Sequence, residues 1–71
     1  MRLLSDPNVW PLIQPGVLIG LKGEKNRVWQ VVKIFEDGFE YFPLWGDYPT
    51  YSMMFRAASG DAFLLKSYGL L

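Results

Sequence analysis

The sequence predicts an all-β fold: a small, strongly bent antiparallel meander of four or five strands, with one short C-terminal helix as an option. Three observations predict it. Val28–Phe35 and Phe39–Leu44 are rich in β-branched and aromatic residues and flank Asp37-Gly38. A two-residue type I′ hairpin turn needs positive φ at both central positions, and Asp-Gly meets that need at low steric cost. Turn-forming residues also recur between short apolar runs, at Pro15-Gly16, Gly23–Asn26 and Ser59-Gly60. Finally, the connections between these runs are short, and 71 residues make one domain.

The elements follow in order. Residues 1–16 form a lead-in punctuated by Pro7, Pro11 and Pro15, which forbid a continuous helix. Ser5 or Asp6 is placed to cap a single helical turn that starts at Pro7 and stops before Pro11. The first strand is Val17–Lys22, and Gly23–Asn26 connects it to the second, Arg27–Phe35. The third strand follows the Asp37-Gly38 turn and stops near Pro43, which has no N–H for the ladder. Residues 45–50 form a loop, and Tyr51–Ala58 is the fourth strand. In the last segment Asp61 suits an N-cap, Ala62–Tyr68 contains helix formers, and Gly69 sits at a C′ position. A helix of about two turns is favoured there; a fifth strand closing a barrel is the alternative.

Sequential strands with short connections curl on themselves in so short a chain. An SH3-like barrel or half-barrel is the nearest familiar shape, as architecture only. The acidic-aromatic and paired-tryptophan signatures of peptide-binding SH3 domains are not placed in this sequence, and no family is claimed.

Composition narrows the chemistry. The chain holds no cysteine and no histidine. Disulfides, thiol nucleophiles, the commonest general base and a zinc site are therefore not expected. A domain of this size buries only about 60% of its unfolded surface. Its 5 Phe, 3 Trp and 4 Tyr compensate, since each ring can bury about 150–250 Å². Seven basic and seven acidic residues cancel, which argues against strong capture of nucleic acid or anionic lipid. No run approaches the ~18 apolar residues of a membrane helix, and Met1–Pro7 lacks a signal-peptide core. The expectation is a cytoplasmic protein with no membrane role, no cofactor and no metal.

Two motifs are weak. Glu36, Asp37 and Glu40 read as solvated residues around a turn rather than paired catalytic carboxylates or cation ligands. Gly20–Lys25 lacks the ending and the helix of a phosphate loop. The chain is therefore read as non-enzymatic.

The strands alternate poorly. Val28, Gln30, Val32 and Ile34 would share one face of the second strand, and Trp29, Val31, Lys33 and Phe35 the other, both largely apolar. Cover for the second face can come from Val9, Trp10, Leu12 and Ile13 and from the C-terminal segment, or from a partner. The leading expectation is thus a protein–protein interaction module: an accessory subunit, adaptor or inhibitor of a larger assembly. Trp45, Tyr48, Tyr51 and Met54 are its candidate contacts, with Trp10 secondary. The alternative is nucleic-acid binding through Lys22, Lys25 and Arg27 with Trp29 or Trp45 stacking. A homo-oligomer formed through an edge strand is compatible with either.

Overall fold

The central hairpin organises everything around it. A computed structural model of the protein describes residues 2–46 and 49–65. Six strands, β1 (Arg2–Leu3), β2 (Leu18–Leu21), β3 (Glu24–Ile34), β4 (Gly38–Pro43), β5 (Tyr51–Met54) and β6 (Ala62–Leu64), form one sheet in the order β1-β6-β2-β3-β4-β5. Every neighbouring pair is antiparallel. Strands β2 to β5 are the expected meander. The sheet curls into a half-barrel whose concave side holds the core of Leu4, Val9, Ile13, Ile19, Val31, Phe39 and Ala62.

The turn at residues 36–38 differs from the sequence expectation. Register places Ile34 opposite Phe39, and the Phe35 N–H donates to the Gly38 carbonyl at 2.7 Å. The two-residue loop is therefore Glu36-Asp37, and Gly38 opens β4. Gly38 is not at positive φ; Gly16 and Gly23 are. Its role is close approach: a Cβ there would overlap the Met53 carbonyl oxygen and stand 3.0 Å from the Met54 Cα. The positive φ of 81° belongs to Gly23, in the Lys22-Gly23 loop that joins β2 to β3.

Strand β3 starts at Glu24, not Arg27, and carries two irregularities. Leu21 pairs with Glu24 but Gly20 pairs with Val28, so Lys25, Asn26 and Arg27 bulge from the ladder. The second is at Val32. Val31 pairs with Tyr41 and Lys33 with Glu40, leaving Val32 unpaired. One extra residue shifts the alternation by one. Trp29, Val31 and Ile34 therefore pack against the core side, while Val32 and Lys33 are exposed. The two-sided apolar pattern of this strand is a phase shift, and most of its apolar residues turn inward.

The remaining strand and helix expectations also change. Tyr51–Ala58 is not one strand: it ends at Met54 and continues as a 3₁₀ helix, Phe55–Ala57. Strand β4 begins at Gly38, so ladder pairing stops after the Phe55 N–H reaches the Asp37 carbonyl at 2.9 Å. The chain then turns and delivers the Phe55 ring to Phe39 and Trp10, with centroids 5.7 and 5.6 Å away. The favoured C-terminal helix is replaced over Ala62–Leu64 by strand β6, which inserts between β1 and β2 and does not close a barrel. Its backbone satisfies β2 on one side and β1 on the other, which an isolated two-turn helix could not do. Leu65 is not helical either, its N–H donating to the Leu18 carbonyl at 3.0 Å; the rest of the expected helix, 66–68, lies outside the described residues, as do Leu70 and Leu71.

The lead-in is more ordered than a single turn. Asp6 is the N-cap, accepting from the Asn8 N–H at 3.0 Å, and a 3₁₀ helix runs Pro7–Leu12 through Pro11. Val9 and Ile13 then close the open side of the half-barrel, and both are buried. The lead-in thus joins the concave core and does not cover the second face of the sheet, and Leu12 is exposed.

Two glycine variants separate these causes. Gly38→Ala must displace the β5 backbone and should lower unfolding free energy by about 2–3 kcal/mol or prevent folding. Gly23→Ala meets open space and suffers only its φ, about 1–2 kcal/mol. Urea denaturation of both variants checks the order.

Candidate functional site

The bulge in β3 and the end of β4 together build an aromatic groove. Pro43 pairs with Trp29, and the Leu44 N–H donates to the Val28 carbonyl at 2.9 Å. That bond carries the chain one step beyond the strand and sets Trp45 against Trp29. The two indoles meet edge to face, with centroids 4.8 Å apart and planes at 84°. The bulge brings Arg27 over Trp45, its guanidinium carbon 5.7 Å from the ring. Tyr51, paired with Tyr41 and 5.9 Å from it ring to ring, forms the other wall. The groove has a volume of about 320 Å³ and is lined by Arg27, Trp29, Pro43, Trp45 and Tyr51.

These contacts are individually weak. The Arg27–Glu24 ion pair spans 3.1 Å between largely exposed side chains, and such pairs contribute about 0–1 kcal/mol. An exposed cation–π contact adds about 0.5–1 kcal/mol. Trp45 is 40% exposed and Tyr51 46%, which is high for rings of that size.

A second cavity of about 330 Å³ opens inside the half-barrel. Buried Leu4, Ile19 and Phe39 form its base, and exposed Lys22, Ser59 and Asp61 lie at its edge. Trp29 lines both this cavity and the aromatic groove. Tyr41 also borders the cavity. Burial pushes its phenol above the ordinary value of 10.0, and the nearby Tyr51 phenolate would raise it further.

On the convex face an open groove holds Lys22, Lys25 and Arg27 above Val28, Phe63 and Leu65. Phe63 lies over Gly20, where a Cβ would stand 3.0 Å from the ring. Glu24 lines the same groove.

Of the sequence candidates, the structure brings Trp45 and Tyr51 together. Met54 is 38% exposed but does not line the groove, because its side chain leaves the opposite face of β5. Trp10 stacks on Phe55 and donates its indole N–H to the Leu4 carbonyl at 2.8 Å, away from the groove. Tyr48 lies outside the described residues. The sequence offers Trp29 only as a stacking ring beside the basic loop and Pro43 as part of the segment leading to Trp45; the β3–β4 register is what juxtaposes them. Among the described residues no three His, Cys, Asp or Glu side chains are grouped to hold a metal, and no helix is long and apolar enough to cross a membrane. Comparison of the chain with protein-family models, curated proteins and solved structures finds no match.

The raised Tyr41 phenol has a pH consequence. Below the unfolded value of 10.0 both states keep the proton and Tyr41 adds no pH dependence to stability. Above it the unfolded chain loses the proton first, so stability falls until the folded phenol also ionises. Thermal unfolding across this alkaline range should show a shallower loss in Tyr41→Phe than in the parent.

Proposed function

We propose that the protein is a small non-catalytic interaction module that binds a segment of another protein. It acts as an accessory subunit, adaptor or inhibitor of a larger cytoplasmic assembly. The observation that carries this reading is the exposed Trp45–Tyr51 pair, set in one groove with Trp29 and Pro43. Stiff aromatic rings give large contact area at small entropic cost, and they dominate binding energy when an interface dries them. Arg27 supports the same reading. Its fork offers donors to a partner carboxylate or carbonyl at the groove wall.

Nucleic-acid binding is the second reading, favoured by the convergence of Lys22, Lys25 and Arg27 on one convex groove. It is weakened by Glu24 within that groove and by the zero net charge of the chain.

The test is capture of the partner from native cells by tagged protein, then titration of the captured chain against variants. Trp45→Ala should weaken binding by about 30-fold or more, the loss of roughly 2 kcal/mol that marks an interface hot spot. Trp10→Phe keeps the stacked ring and should leave affinity unchanged. Unchanged affinity in Trp45→Ala overturns the reading. Oligonucleotide affinity that falls steeply with salt and is lost in a Lys22→Ala, Lys25→Ala double variant supports the second reading instead.

A further inference from the structure

Strand β5 pairs with β4 on one side, and among the described residues no strand pairs with its other side. Hydrogen bonding along an antiparallel ladder alternates. The bond from the Phe55 N–H to the Asp37 carbonyl fixes the phase. Met53 and Tyr51, opposite Phe39 and Tyr41, turn their backbone groups toward β4. Ser52 and Met54 turn theirs outward, and the alternation continued one residue before the strand does the same for Thr50.

This edge is short, at four residues, but lacks the other usual protections. Proteins guard edge strands with charge, proline, bulges or very short length. Tyr51–Met54 contains no charged residue and no proline, and its register with β4 runs without a shift. The opposite edge, β1, is only two residues long.

We propose that β5 is a dimerisation edge whose occupant is a second copy of this chain, paired antiparallel about a two-fold axis at Ser52. The pattern is self-complementary in that register. Ser52 exchanges both backbone hydrogen bonds with its counterpart, and Thr50 exchanges both with Met54 of the other copy. Tyr51 falls opposite Met53 of the other copy on the concave face, an aromatic–thioether pair repeated twice. Shifting the axis to Met53 would lose one reciprocal pair of bonds and both aromatic pairs. Zero net charge adds no repulsion between copies. The dimer extends the sheet and sets both aromatic grooves on one continuous concave face.

The proposal is independent of the groove reading, and the tests separate them. Sedimentation equilibrium of the full chain should give twice 8.2 kDa, weakening to monomer on dilution. Ser52→Pro deletes an outward N–H without touching the β4 ladder and should be monomeric with an unchanged circular dichroism spectrum. Ser52→Lys, which needs no backbone adjustment, sets like charges across the axis and should also be monomeric at low salt. Ser52→Cys brings two thiols together in a chain that has none. The paired Cα atoms stand about 5.5 Å apart, within disulfide range, so oxidised glutathione should cross-link it. Met54→Cys, displaced along the strand from its counterpart, should not cross-link. Trp45→Ala should leave the dimer intact.

A monomer at every soluble concentration overturns the proposal. So does a dimer that survives both Ser52→Pro and Ser52→Lys, or a Ser52→Cys protein that fails to cross-link. A monomer whose Ser52 amide is protected from hydrogen exchange would show another segment of the same chain on this edge, and also overturns it.

Discussion

The extra residue at Val32 is the constraint on which the rest depends. Strand β3 pairs with β2 along its first part and with β4 along its second. A regular strand in that position would send Val31 and Ile34 to opposite faces. The bulge turns both inward, so that Val31 lies opposite Tyr41 and Ile34 opposite Phe39. It also increases local twist, which lets so narrow a sheet curl around its own core. Phe39 then meets Tyr41 and Phe55 at centroid distances of 5.6 and 5.7 Å. Those rings carry much of the apolar burial on which a chain of this length relies.

The same strand links stability to the binding surface. Trp29 sits one pleat from Val31 and faces the same side, so its ring is held by core packing as well as by Trp45. Its inner edge borders the central cavity and its outer edge the groove. Pro43 ends β4 opposite Trp29 and is itself buried. A groove with one fixed wall and one exposed wall, Trp45 with Tyr51, combines preorganisation with adjustability. The polar side chains around it, Arg27 and Glu24, are exposed enough that their pairing sets orientation more than energy.

Much of the fold was legible because local chemistry agreed with it. The composition of Val28–Phe35 and Phe39–Leu44 named the hairpin, Ser5 or Asp6 the cap, of which the structure uses Asp6, and Pro15-Gly16 the turn, where Gly16 takes a φ of 96°. What escaped the sequence was set by tertiary contact. The glycine of Asp37-Gly38 serves proximity to Met53, a need no local pattern shows. Bulges leave no periodic signature, so the faces of β3 were assigned one residue out of phase beyond Val31. Asp61 suits a helix cap equally well in a turn, where its N–H donates to the Ser59 hydroxyl at 3.1 Å. Strand pairing with β2 decided the matter for Ala62–Leu64. At the groove, Trp45 and Tyr51 could be named as amphipathic loop-flanking rings. The sequence offers Trp29 only as a ring stacking beside the basic loop, because its own strand gives no hint that Trp45 ends beside it.

The insertion of β6 between β1 and β2 has a kinetic corollary. The meander assembles from neighbours in sequence, but Arg2 must wait for Leu64 and Leu3 for Phe63. Closing so large a loop is entropically slow, and it rewards the chain only after the rest of the sheet is in place. Strand β1 therefore stays unpaired until Phe63 and Leu64 are in place, with Leu4 and the turn after it waiting for a scaffold. Its two residues come first among the strands in chain order and are among the last to join the sheet.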